Sequence, residues 1–244
     1  MKAAVAQVKL YNDLEANLTT ISKYISQASK AEIEFLCFPE CCVTGYVRDF
    51  SLSKISQDEV EEALKIIQRE VVKQGVSVIV GAPYFEGKKR FNSAVVLLAD
   101  GTREIYHKIN LTSFDELWLE KGKEPLIFQS GALKFGVLIC RDQNDPMLAR
   151  EYKKLGADAL FILSAHFYTP IEATRKLNKN KALPIARAVE NNLFVLKACA
   201  VGSSNEKISL GGSLIVDPTG FVVREGNALN EGFLSYEISK GEGG

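Results

Sequence analysis

Short apolar runs alternate with amphipathic stretches from one end of the chain to the other. Residues 3–10 (AAVAQVKL) read as a strand, and 14–29 as a helix with Leu14, Leu18, Ile21 and Ile25 on one face. EFLCF (34–38) is a compact buried strand stopped by Pro39. Residues 57–73 carry Val60, Leu64, Ile67 and Val71, a second helical stripe. Three runs at 76–85, 92–99 and 103–109, the last two joined by an Asp100-Gly101 turn, predict an antiparallel ladder. A charged, aromatic-rich loop covers 110–125, and a strand–helix–strand unit follows at 132–140, 145–155 and 158–165. A helix near 180–192 leads into a strand at 193–200. Two more strands flank the turn Asp217-Pro218-Thr219-Gly220.

Because strands and helices interleave without linker, repeat or low-complexity break, the pattern predicts one α/β domain over 1–240, with a flexible tail at 241–244. Strands apolar on both faces imply sheets covered on both sides. A length of 244 residues, 46% hydrophobic and 25% charged, suits an ordinary globular protein of this class. Thirty basic and thirty acidic side chains cancel, and no Lys/Arg block stands apart, so a nucleic-acid partner is not expected. No signal peptide or membrane-length apolar run is seen, and five cysteines without framework spacing fit reduced thiols; a cytoplasmic location is expected. Two histidines and no C-x-x-C pair argue against a metal site, and the absence of a glycine-rich phosphate loop argues against nucleotide chemistry. No cofactor is expected.

Chemistry is concentrated where three buried runs stop: at Glu40 in EFLCFPE, Lys108 in EIYHKINL, and Cys140 in FGVLICRDQND. In α/β folds, sites gather at strand ends. A thiolate nucleophile needs a group to take its proton, and a carboxylate in an apolar pocket can do so. A lysine can then hold the oxyanion of a tetrahedral intermediate. Taken singly, each residue has a plainer reading: the cysteine as core packing, Glu40 as a cap, Lys108 as a solvated strand end. Cys37 and Cys199 read as core; His166, ending the run 158–165, can face a pocket or simply leave the core.

In order and context the three segments resemble the nitrilase (carbon–nitrogen hydrolase) superfamily. The resemblance rests on FPE (38–40), YHKINL (106–111) and GVLICRD (136–142). TGY (44–46), FNSAVVL (91–97), LGADALFILSA (155–165), RAVENNLFVL (187–196) and GGSLIVDPTG (211–220) agree with it, so it spans nearly the whole chain. It implies an α-β-β-α sandwich of two sheets flanked by helices, with Glu40 as general base, Lys108 as oxyanion stabiliser and Cys140 as nucleophile. The backbone N–H of Arg141 would join Lys108. Members often carry a second glutamate soon after the lysine; Glu116 fits that place best, with Asp115 and Glu120 as competitors.

The implied reaction is hydrolysis of a small amide or N-carbamoyl compound through a cysteine thioester, with no metal. Nitrile hydrolysis is less favoured; a silent binding protein and a thioester-based acyltransferase are the alternatives. Homodimers or larger homo-oligomers are implied as well. The chain departs from the usual pattern after the cysteine, where Arg141 and NDPMLAR (144–150) replace an aromatic residue and a Phe-Pro-Glu. Arg141 can bind a substrate carboxylate or pair with an acid such as Asp142, and the pairing is favoured. Arg187 and Glu190, at helical spacing, are expected to brace the fold. Tyr46, Tyr84, Phe114, Trp118 and Phe167 are candidate pocket walls, with a core reading open for each.

Overall fold

The computed structural model describes residues 1–46, 55–204 and 206–240; the 241–244 tail and part of the 44–56 loop lie outside them. The first sheet is built from β1 (Lys2–Gln7), β2 (Phe35–Cys37), β3 (Ser77–Glu86), β4 (Lys89–Leu97) and β5 (Arg103–His107). The second uses β6 (Ile127–Ser130), β7 (Leu133–Ile139), β8 (Ala159–Ser164) and β9 (Phe194–Cys199). After the small hairpin β10 (Val201–Ser204) and β11 (Lys207–Leu210), β12 (Leu214–Val216) and β13 (Val222–Glu225) complete the second sheet. The last strand, β14 (Gly232–Glu237), crosses back to the first. The strand orders are β14-β1-β2-β3-β4-β5 and β13-β12-β9-β8-β7-β6. Each sheet has a parallel centre, β1-β2-β3 and β7-β8-β9, widened by antiparallel strands.

Four helices cover the outer faces: α1 (Leu14–Lys30), α2 (Gln57–Gln74), α3 (Pro146–Lys154) and α4 (Pro170–Asn191). Period-two alternation divides the apolar residues of each strand between two layers. In β1, Ala4 and Ala6 pack with Ile21, Ile25, Leu64 and Ile67 of α1 and α2, while Ala3 and Val5 face the other sheet. In β7, Phe135, Val137 and Ile139 enter the intersheet core, while Leu138 packs with Leu148 and Tyr152 of α3. Phe35 stacks on Phe128, Phe135 and Phe161 at centroid distances of 5.3–5.7 Å, so one aromatic cluster joins the sheets. The architecture is the α-β-β-α sandwich that the resemblance implies.

Several elements differ from the sequence expectation. Helix α4 begins at Pro170, ten residues before the predicted start near 180. Its first half (IEATRKLNKNK) has no apolar stripe, but Thr169 caps it in a reciprocal box with Glu172, and Pro170 occupies the first turn. Inside the helix, Pro184 lacks the N–H that would bond the carbonyl of Asn180. The buried Lys197 on β9 supplies the missing donor, its Nζ bonding that carbonyl at 2.9 Å. Strands β6, β10, β11 and β14 were also not anticipated, because these short segments carry few fully buried positions. No helix among the described residues is long and apolar enough to cross a membrane, and all five cysteines are free.

Candidate active site

The three ionisable strand ends converge. Glu40 follows β2, Lys108 follows β5 and Cys140 follows β7. Glu40 sits in a tight turn laid against β3 at Gly81, where an added Cβ would come within 2.4 Å of the Cys41 nitrogen. Only glycine lets the two backbones approach this closely. Cys41 itself takes a left-handed φ of 59°.

Lys108 continues the β5 pairing by one residue, its N–H donating to Asn92 O at 2.9 Å. Its Nζ donates to Glu40 Oε1 at 2.9 Å and to Asp115 Oδ2 at 3.0 Å. Both Lys108 and Glu40 are almost fully buried, at 2% and 1% exposure, so this pair operates away from solvent screening. Burial alone would push the ammonium toward neutrality. Glu40, Cys140 and Asp115 outweigh that effect and hold Lys108 well above its ordinary range. Asn92 Nδ2 adds a second donor to Glu40 Oε1 at 2.8 Å, while Glu40 Oε2 has no hydrogen-bond partner among the described residues. One carboxylate oxygen is thus anchored and the other is open to accept a proton.

At Cys140 the chain leaves β7 with φ of 47°, in the left-handed region that a side-chain-bearing residue rarely adopts. Strict alternation after Ile139 would turn Cys140 toward the helices; it packs instead against the intersheet cluster. Burial, followed by the negative charge of Glu40, raises the Cys140 pKa well above that of an ordinary thiol, and Lys108 opposes them. At rest the site therefore holds a thiol beside a carboxylate–ammonium pair. Nucleophilicity requires the proton to move as the bond forms, and Glu40 is placed to take it.

Asp142, which sequence reasoning offered only as a partner for Arg141, has a different place. Its carboxylate accepts from Tyr106 Oη at 2.8 Å, Asn110 N at 2.7 Å and Ile139 N at 2.9 Å. Tyr106 and Asn110 flank Lys108, so Asp142 ties the lysine segment to the cysteine turn. These donors occupy its buried carboxylate, and the expected Arg141–Asp142 pair does not form. The Arg141 side chain is exposed and makes no ion pair among the described residues. Arg187 and Glu190 do pair, and Arg187 Nε also donates to Gln143 O at 3.0 Å, bracing the same turn from α4.

The second carboxylate at the lysine is Asp115 rather than Glu116. Asp115 and Thr112 exchange bonds, Thr112 N to Asp115 Oδ2 at 3.0 Å and Asp115 N to Thr112 Oγ1 at 3.1 Å, which turns Asp115 inward. One residue later in this 3-10 turn (Asp115–Leu117) the direction has rotated by about a third of a circle. Glu116 accordingly points to the surface and pairs with Lys121 at 2.7 Å. Replacing Asp115 with Asn should lower amide turnover by about tenfold or more, since Lys108 loses a charged partner. Glu116→Gln should stay near the parent rate. Parallel kinetics on the two variants check the assignment, and the reverse ranking would overturn it.

A cavity of about 290 Å³ opens at Cys140, lined on its described sides by Tyr46, Phe114, Arg141, His166 and Phe167 among others. Tyr46 stacks on Phe167 at 5.5 Å. His166 adopts φ of 58° and sets Nδ1 3.5 Å from Cys199 Sγ. Of the other proposed walls, Tyr84 packs on the His107 ring and the Arg103 guanidinium instead, and Trp118 is outside the described lining. The volume lies at the bottom of the roughly 300–1,000 Å³ range of small-molecule sites, which suits a small substrate. Among the described residues no group of three His, Cys, Asp or Glu is placed to hold a metal ion.

Comparison with known proteins gives the chain's family and supports its fold. The family model described as carbon-nitrogen hydrolase matches residues 2–243. A 2-oxoglutaramate amidase of Bacillus subtilis is 32% identical, over 93% of this chain and 86% of that protein. A probable nitrilase of Schizosaccharomyces pombe is 28% identical, over 98% of this chain and 89% of that one. Among solved structures, a mutant of the amidase of Nesterenkonia sp. AN1 superposes with a TM-score of 0.90 at 23% identity, covering 98% of this chain and 90% of that one. That amidase carries the acetamide moiety of fluoroacetamide added covalently at its active-site cysteine. With a family match over nearly its whole length, the chain belongs to the carbon–nitrogen hydrolase family.

Proposed function

We propose that this carbon–nitrogen hydrolase is an amidase acting on a small amide or N-carbamoyl compound through a thioester on Cys140. One observation carries the reading: the buried Glu40–Lys108 pair stands beside the Cys140 thiol with Glu40 Oε2 unengaged. Glu40 takes the thiol proton as sulfur attacks the amide carbon, and the carbonyl π pair moves onto oxygen. Lys108 and the Arg141 backbone N–H stabilise that oxyanion. As the intermediate collapses, the C–N bond breaks and Glu40 returns its proton to nitrogen, which leaves as ammonia. Glu40 then takes a proton from water, hydroxide attacks the thioester, and the C–S bond breaks. The proton goes back to sulfur, releasing the carboxylic acid and restoring the carboxylate. Asp115 and Asn92 hold the lysine and the glutamate in place, and Asp142 sets the cysteine turn.

Replacing Cys140 with Ala should abolish ammonia release from a panel of small amides and carbamoyl compounds, because the sulfur that would carry the acyl group is gone. Release at the parent rate from this variant would refute the assignment. The same reading places the protein in the cytoplasm as a homodimer or larger homo-oligomer; sedimentation of the purified chain tests the assembly.

A further inference from the structure

The walls of the Cys140 cavity carry an excess of positive charge. Arg141 comes from the cysteine turn, Lys176 and Lys179 from the first half of α4, and Lys207 from β11. Three separate segments thus bring four cations to one small space. The described lining holds a single carboxylate against them, Glu172. That carboxylate is already engaged, accepting from the Thr169 cap at 3.1 Å and pairing with Lys176 at 3.6 Å. Lys176 is further drawn over the Tyr168 ring, 4.0 Å from its centroid. Arg141, Lys179 and Lys207 have no ion pair among the described residues. Lys181, on the same helix, has its partner, reaching both oxygens of Glu225 at 2.7–2.8 Å. Three cations without an ion pair among the described residues therefore line one cavity.

Cations on a solvated helix face are ordinary, but these face a concave site whose low-dielectric walls focus their field. The wall residue His166 lies within reach of the same charges. Burial first, and then the charges of Lys197, Lys108, Lys179 and Lys176, push it well below the ordinary histidine range, so it stays neutral. A neutral amide has no use for such surroundings, whereas an anionic one gains both encounter rate and binding.

We propose that the substrate carries a carboxylate at the end remote from the scissile amide, and that Arg141, Lys176, Lys179 and Lys207 form the subsite that receives it. The inference rests on the hydrolase reading of Cys140 and narrows it to linear monoamides of dicarboxylic acids and their close analogues. Arg141 is the central member, since its planar fork suits two-point contact with a carboxylate and it lies next to the nucleophile.

The test compares ammonia release from the monoamides of succinic and glutaric acid with release from their methyl esters, which keep the length and lose the charge. The acids should show kcat/KM about tenfold or more above the esters, the advantage expected of charge-assisted hydrogen bonds. Added salt should shrink that ratio. It should also collapse in Arg141→Met and fall in the Lys179→Met/Lys207→Met double variant, mainly through KM for the acids. Arg141→Lys should restore part of it, which a merely structural arginine would not do. Esters hydrolysed as well as acids, or a ratio unmoved by Arg141→Met, would overturn the anionic subsite while leaving the hydrolase intact. No ammonia from either series, with no acyl adduct on Cys140, would overturn both.

Discussion

Replacing Glu40 with Gln is expected to cut ammonia release by about 10²–10⁴-fold while leaving Cys140 open to alkylation. The two effects separate because Glu40 acts on the thiol in opposite ways. As the proposed base it is needed to carry the proton at every step, which Gln cannot do. As a charge it raises the Cys140 pKa, second only to burial, while Lys108 lowers it. With Gln at this position the burial remains, the repelling charge is gone, and the ammonium is free to favour the thiolate. The thiolate titration of the variant should therefore move to lower pH than that of the parent, and alkylation should follow it. The substitution keeps a side-chain oxygen for Lys108 Nζ and Asn92 Nδ2, so the fold should survive. An unchanged or upward-shifted titration, or turnover within a few-fold of the parent, would contradict this account of Glu40.

Lys108→Met carries the other large effect, on stability as well as rate. Met fills similar space without the charge and leaves Glu40 and Asp115 facing each other without their shared cation. Removing one partner of a buried pair costs about 3–5 kcal/mol, far more than the loss of a surface bridge. Losing the proposed oxyanion donor should lower turnover by a further factor of about 10²–10³ in whatever protein folds. Urea denaturation of the variant beside the parent reads the first effect, and turnover per folded molecule the second. A variant as stable as the parent would show that the Glu40–Lys108–Asp115 cluster does not hold the ends of β2 and β5 and the Asp115 turn together.

How far the site could be read from sequence depended on the kind of signal each residue leaves. Glu40 and Cys140 were legible because each closes a run buried on both faces, where an ionisable side chain stands out, whereas Lys108 follows a half-exposed strand and was legible through its YHKINL context. The same runs made a covered α/β domain legible, while the two-sheet sandwich came from the family resemblance. The choice between Asp115 and Glu116 was not, because it turns on one residue's rotation in a short turn set by the bond exchange with Thr112. Asp142 was misplaced for a related reason. Residue type suggests a partner for Arg141, but its three donors come from two strands and a loop, and two of them are backbone groups. The start of α4 was hidden because its exposed first half lacks the apolar stripe that marks a helix. That half nevertheless supplies Glu172, Lys176, Lys179 and Asn180 to the cavity, so the least legible element lines the site. The left-handed turn at Cys140 leaves no trace in composition at all.

The central claim is that Cys140 is the nucleophile of a thioester pathway. Mass spectrometry of the protein quenched during turnover of an amide tests it directly. The account predicts one added acyl group, located on the peptide that contains Cys140 and lost when the thioester is allowed to hydrolyse. Acyl groups on another cysteine, or turnover that proceeds with Cys140 never modified, would contradict it.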